Sequence, residues 1–209
     1  MGVDGKKILK KVWYFIWEDN SVWSWIVNII LAFVIIKFLV YPGLGIVLGT
    51  SHPVVAVVSG SMEHPGGTEN WWYRPAICAY NVPCQQIDFY RERNISQGQF
   101  ESFRFKNGFN TGDIMMLFGT KKEKIDIGDV IVFRSGKPDP IIHRVIDRWE
   151  DDGTIYFQTK GDNNRELIRS DQLDEMRIGE DAYIGEAMIR VPYLGWIKIW
   201  AVRLVASLR

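Results

Sequence analysis

Net charge, histidine and cysteine are all scarce in this 209-residue chain, and each shortage narrows what it can be. Lysines plus arginines number 25 and aspartates plus glutamates also number 25, so no excess of positive charge marks a nucleic-acid surface. The two cysteines, Cys78 and Cys84, with a stray histidine make a poor zinc set, and nothing in the chain requires a metal or another cofactor. Internal repeats and low-complexity runs are missing. The length suits one domain plus attachments rather than two full domains.

The widest gap is in charge along the chain. From Ser21 to Ser59 the only charged residue is Lys37, and Ile26 to Leu39 reads IVNIILAFVIIKFL. About 20 apolar residues cross a bilayer core as a helix, so residues 21–48 are predicted to be a transmembrane anchor. Lys37, near its far end, can snorkel to the headgroups, and Trp23, Trp25 and Tyr41 suit the interfaces. Tyr41-Pro42-Gly43 is expected to interrupt the helix, because proline cannot continue a hydrogen-bonded turn.

Lys6, Lys7, Lys10 and Lys11 precede the segment. The positive-inside rule then places residues 1–20 in the cytoplasm and the rest outside, on a single-pass protein of the cell membrane. In an exported domain Cys78 and Cys84 can form a disulfide, and Asn94-Ile95-Ser96 fits the glycosylation pattern.

Beyond the anchor, residues 49–193 read as a mainly β domain. Val54–Val58, Asp113–Phe118, Asp129–Phe133, Ile141–Ile146 and Thr154–Thr159 are short apolar, often β-branched runs separated by Gly-rich and charged turns. Residues 65–111 interrupt them with no helical or strand period. They form an insertion, pinned by the cysteines, whose aromatics make either a small core of its own or a surface for a membrane or partner. Residues 194–209 suit a short membrane-proximal or packed helix better than a second span.

Ser59-Gly60-Ser61-Met62 follows an apolar run and can expose both a hydroxyl and backbone N–H groups. Serine needs a base within hydrogen-bond reach and donors aimed at the developing oxyanion. Of the three histidines, His52 and His64 lie in loops close to Ser61 in sequence. His143 sits inside Ile141–Ile146, on a face with Ile141 and Val145 and opposite Arg144. Such a histidine is either a satisfied core residue or a tuned base. Asp162 and Asp171 are the candidate carboxylates to orient it, although Gly161-Asp162-Asn163-Asn164 would equally favour an Asx turn.

Four ordered segments carry a resemblance: Val57-Val58-Ser59-Gly60-Ser61-Met62-Glu63, Gly128–Phe133, Ile142-His143-Arg144-Val145 and Thr159-Lys160-Gly161-Asp162-Asn163-Asn164. Together they resemble the boxes of signal peptidase I, and the histidine before Arg-Val is similar to the archaeal and endoplasmic-reticulum type. Val191–Trp196 resembles the family's closing segment. The resemblance implies a membrane-bound Ser–His–Asp endopeptidase that removes signal peptides from exported preproteins, cutting after small residues. It implies Ser61 as nucleophile, His143 as base, Ser59 as an oxyanion contributor, and Asp171 (before Gln172) or Asp162 as the acid. Preproteins, the lipid bilayer and secretion-machinery subunits are the implied partners. Two departures stand out. Asp162 and Asp171 lie about three residues further apart than is usual in the family, and His64 intervenes before Pro65. The alternatives are a related anchored protease with another protein substrate and an anchored scaffold whose site has decayed.

Overall fold

In a computed structural model, which describes residues 5–197, 199, 200 and 204, the chain divides into two compact units, Met1–Val47 and Leu48–Arg209.

The first unit is helical. Helix α1 spans Gly5–Trp17, and α2 spans Val22–Leu48, the one helix among the described residues long and apolar enough to cross a membrane. Ser21 caps α2, its hydroxyl accepting the Ser24 N–H at 3.2 Å. At 1.5 Å per residue its 27 residues extend about 40 Å. The helix does not stop at Tyr41-Pro42-Gly43. Ile36–Val40 form a π-helical turn in which the Tyr41 N–H reaches back to the Ile36 carbonyl. Pro42 has no N–H to offer and its ring would crowd the carbonyl four residues earlier. Widening the turn just before it absorbs that conflict, the usual way an apolar helix carries a proline onward.

The second unit is built on a seven-stranded antiparallel sheet. In chain order its strands are β1 (Val54–Ala56), β2 (Ile114–Phe118), β3 (Val130–Phe133), β4 (Ile141–Asp151), β5 (Thr154–Lys160), β6 (Ile178–Gly179) and β7 (Tyr183–Val191). Their order across the sheet is β1-β2-β7-β3-β4-β5-β6. The five apolar runs read from the sequence become β1 to β5. The interior strand β7, between β2 and β3, has no clean alternation in sequence. Gly185 and Glu186 break its apolar run, and its register shifts between Tyr183 and Gly185 and again between Ala187 and Ile189.

Both faces of the sheet are covered, which is why Val130-Ile131-Val132-Phe133 is buried throughout rather than at alternate positions. Val130 and Val132 pack with Val57, Met62, Phe109, Met115 and Leu117 on one side. Ile131 and Phe133 pack with Val145, Ile155, Phe157 and Leu173 on the other. In β4 the register shifts between Val145 and Asp147, and His143, Arg144, Val145 and Ile146 are all buried. Ile146 thereby joins a third core, supplied by residues 65–111.

That segment contributes three short helices (Gly67–Trp71, Gln86–Arg91 and Gln97–Ser102) and a ribbon pairing Pro75–Ile77 with Pro83–Gln85. The Cys78–Cys84 disulfide closes the ribbon. Its aromatics make a core: Trp71, Trp72, Phe89, Tyr90 and Phe100 are almost fully buried and pack ring against ring. At 150–250 Å² buried per ring and about 25 cal/mol/Å², each supplies roughly 4–6 kcal/mol of gross driving force. Asn94 is exposed beside it. Of the expected terminal segment, residues 194 and 195 form a turn and 196, 197, 199, 200 and 204 are helical; the others lie outside the described residues.

Candidate active site

Past β1 the backbone stays tied to the sheet, with the Val57 N–H on the Asp113 carbonyl at 2.9 Å, and then turns through Ser59–Met62. Met62, fully buried, anchors the far end of the turn, and the Phe109 N–H donates to its carbonyl at 3.0 Å. Asn163 fixes the turn from the other side: its N–H donates to the Ser61 carbonyl at 2.7 Å and its Nδ2 to the Gly60 carbonyl at 3.0 Å. With both carbonyls held, the peptide planes around Ser61 have a set orientation. The Ser59 and Ser61 hydroxyls lie 3.2 Å apart.

From β4, His143 brings Nε2 to 3.0 Å from Ser61 Oγ, across 82 residues of sequence. Its other nitrogen, Nδ1, forms a short hydrogen bond with Glu175 Oε1. Glu175 is fully buried and tightly held. The Thr159 hydroxyl donates to Oε1 at 3.3 Å, the Ile168 N–H donates to Oε2 at 2.7 Å, and the residue's own N–H and carbonyl bond to Ile168 and Thr159. Serine, histidine and carboxylate therefore stand in line.

The carboxylate in this line is neither Asp171 nor Asp162. Asp171 is exposed, at the tip of the small ribbon that pairs Arg169–Ser170 with Leu173–Asp174. The Gly136 N–H holds the Gln172 carbonyl at 2.8 Å, so Gln172 lines the cleft beside Ser61 while Asp171 turns to solvent. Glu175, four residues further on, folds back inward. The sequence offered one hint of it: a carboxylate in the same acidic segment, next to the apolar pair Leu173 and Met176 in local spacing.

Asp162 faces away from His143. Arg144 grips it with two bonds, Nε to Oδ1 at 2.9 Å and Nη2 to Oδ2 at 2.7 Å. The Tyr90 hydroxyl donates to Oδ1 at 3.2 Å, and His64 Nε2 lies 3.0 Å from Oδ2. Burial opposes ionisation here, but the Arg144 charge and the hydrogen bonds from His64 and Arg144 outweigh it and hold the carboxyl well below the usual range. The same surroundings, burial first and the Asp162 charge second, push the Tyr90 phenol well up. His64 is stacked on Trp71, ring centroids 4.0 Å apart and planes 5° from parallel, so it belongs to this buried network and not to Ser61. His52 lies elsewhere, its Nδ1 2.9 Å from the Ser51 hydroxyl. Arg144 also donates to the Arg104, Phe105 and Gly128 carbonyls, which binds the segment 65–111 to the strand carrying His143.

Gly161 passes so close to the site that no side chain fits. A Cβ there would stand 2.8 Å from His143 Nε2 and 2.9 Å from the Ser61 carbonyl oxygen, whose neighbours are the fixed parts of the turn. Gly161→Ala is expected to leave the protein folded and lower turnover by about 100-fold or more, because small misplacements of reacting groups cost that much. Parallel measurements of kcat and of the melting curve check it.

Lys160, the neighbouring residue, is fully buried, with Nζ 2.9 Å from Gln86 Oε1 and 3.1 Å from the Gly161 carbonyl. Burial pushes its amine down to about 7, against the pull of Asp162 and Glu175. In the unfolded chain the amine stays protonated to about pH 10.4. Between pH 7 and that value the unfolded state binds the extra proton, so this residue makes stability rise with pH through that window. Lys160→Met is expected to flatten the rise, as read from urea midpoints at pH 7, 8 and 9.

The site opens onto a cleft of ≈ 400 Å³. Ala56, Val58, Pro138, Pro140, Ile141 and Ile142 give it apolar walls, with Ser59, Ser61 and His143 at one place on them. A hydroxyl beside an imidazole, a carboxylate on the opposite ring nitrogen and an adjoining apolar cleft together suit acyl transfer on an extended peptide.

No protein-family model matches the chain. It is similar to the signal peptidase complex catalytic subunit SEC11C of Homo sapiens, 29% identical over 169 residues, 77% of this chain and 63% of that protein. The Mus musculus protein matches to the same extent. The catalytic subunit SEC11 of Colletotrichum graminicola is 26% identical over 168 residues, 78% of this chain and 71% of that protein. The chain thus spans just under two thirds of the length of the mammalian relatives. Its homologues are catalytic subunits of signal peptidase complexes, and at modest identity the chain is similar to the endoplasmic-reticulum type of the signal peptidase I family.

Proposed function

We propose that this chain is a membrane-anchored serine endopeptidase that removes signal peptides from exported preproteins, with Ser61 as nucleophile, His143 as general base and Glu175 as the acid behind it. The observation that carries the reading is the 3.0 Å contact between Ser61 Oγ and His143 Nε2, with Glu175 on the opposite ring nitrogen.

In this mechanism neutral His143 donates its Nδ1–H to Glu175 and accepts the Ser61 proton at Nε2 as the oxygen attacks the scissile carbonyl. Glu175 stabilises the imidazolium that forms. The Ser61 backbone N–H and the Ser59 hydroxyl, 3.2 Å from Ser61 Oγ, take the oxyanion. The imidazolium then protonates the leaving amine, and the acyl-enzyme is released by a water that His143 activates in turn. Strand β1 is the outermost of the sheet and its chain continues into the cleft through Ala56 and Val58. An extended substrate segment can add to that edge by main-chain hydrogen bonds.

The apolar helix α2 supplies the anchor, with the lysine-bearing end in the cytoplasm and the catalytic unit on the exported side. The Cys78–Cys84 disulfide suits an oxidising compartment of that kind. Since the relatives are named as subunits of complexes, partner subunits of a secretion membrane belong to the same reading. An inactive scaffold would have no reason to keep a carboxylate oriented on His143, and the Glu175 contact therefore favours the enzyme. The test is incubation of the lipid-reconstituted chain with a preprotein, followed by mass mapping of the cut. A single cut at the signal-peptide boundary is expected; cuts confined to other proteins or other positions would leave a related protease with a different substrate.

A further inference from the structure

We propose that α1 is an interfacial helix that lies on the leaflet α2 enters first and binds anionic lipid headgroups through its lysines. The proposal rests on the reading of α2 as a membrane span.

The sequence of α1, GKKILKKVWYFIW, holds four lysines and no acidic residue. At about 100° per residue, Ile8, Leu9, Val12, Trp13, Phe15 and Ile16 share one side, whereas Lys7, Lys10, Lys11 and Tyr14 share the other, with Lys6 at the margin. The apolar side is uncovered: Ile8, Leu9, Val12 and Trp13 are 48%, 76%, 51% and 63% exposed. An apolar stripe with aromatics opposite a lysine face is what an interfacial helix needs, and its charge complements an anionic headgroup layer.

The end of α1 is also finished in a way that dispenses with water. The last carbonyls of a helix have no partner within it. Here the Ser24 hydroxyl donates to the Phe15 carbonyl, and Asn28 Nδ2 donates to the Ile16 carbonyl at 2.9 Å. Both donors come from the first two turns of α2, and Ser24 is fully buried. Asp19 accepts from the Ser21 N–H at 2.8 Å and tightens the short connection. These bonds hold the C-terminal end of α1 to the place where the span begins. Exposed Trp13, Trp17, Trp23 and Trp25 gather at the same end, as interfacial tryptophans do.

The test uses the full chain in lipid nanodiscs, of phosphatidylcholine alone or with about one third phosphatidylglycerol. A polarity-sensitive thiol label is placed at Leu9→Cys or Lys11→Cys, the native disulfide being left oxidised. Retention of the chain in the disc reports on α2 independently of α1. Each lysine near an anionic surface adds about fivefold to binding. The Leu9 label is therefore expected to be roughly threefold or more shielded from acrylamide than the Lys11 label, most strongly in anionic discs. Replacing Lys6, Lys7, Lys10 and Lys11 by glutamine is expected to remove the advantage of the anionic lipid. Equal quenching of the two labels in retained discs would overturn the interfacial placement and leave a protein partner as the cover for that face. Shielding that ignores both lipid charge and the lysines would overturn the recognition of anionic headgroups.

Discussion

Replacing Glu175 by glutamine is expected to lower kcat for preprotein cleavage by about 10³–10⁴-fold while leaving KM and the melting curve nearly unchanged. The geometry requires it. His143 meets Ser61 through Nε2 only if Nδ1 carries the proton, and Glu175 is the acceptor that fixes this tautomer. A glutamine retains the shape and, with its oxygen toward the Ile168 N–H, that bond, but it removes the charge that stabilises the imidazolium. It also presents an amide N–H that favours the wrong tautomer. Glu175→Asp, one methylene shorter, is expected to recover part of the rate. Asp171→Asn, at an exposed position, is expected to change kcat by less than about twofold, within the range of ordinary surface substitutions. Equal losses from Asp171→Asn and Glu175→Gln would remove Glu175 from the mechanism.

Asp162→Ala is expected to act through stability. Arg144 is wholly buried, and without Asp162 its guanidinium loses the carboxylate it is hydrogen-bonded to. Removing one partner of a buried ion pair costs about 3–5 kcal/mol, and here Tyr90 and His64 lose an acceptor as well. For a unit of this size that corresponds to a fall of roughly 6–20 °C in Tm. The pH dependence follows with the same sign. A carboxyl held below its usual value contributes stability that is present above about pH 4 and lost as the pH falls through its folded value. Thermal melts of the parent, Asp162→Ala and Asp162→Asn at pH 7 and at about pH 3 measure both effects. Asp162→Ala with the parent's Tm and no activity would make Asp162 a participant in the chemistry after all.

The Gly-Asp openings and β-branched runs made β1 to β5 legible, because period and turn chemistry are local properties. β7 was not legible, since Gly185, Glu186 and two register shifts erase its alternation although it lies inside the sheet between β2 and β3. The interruption expected at Tyr41-Pro42-Gly43 does not occur for a similar reason: a π turn accommodates Pro42, and composition does not reveal that adjustment. Within the site, Ser61 and His143 could be read from ordered motifs. Glu175 could not, because its partnership with His143 is made through Thr159 and Ile168 on an irregular segment. The insertion's part in the site was equally hidden. His64 and Asp162 are 98 residues apart, and only the folded chain stacks one on Trp71 and sets the other against Arg144.

The most direct test of the account is the rate of signal-peptide removal by lipid-reconstituted protein carrying Ser61→Ala, beside the parent and His143→Ala. The account predicts that each substitution abolishes turnover to within about 10⁻⁴ of the parent while Tm is preserved, and that the double variant is no worse than either single one. Cleavage by Ser61→Ala at the parent's rate would contradict it.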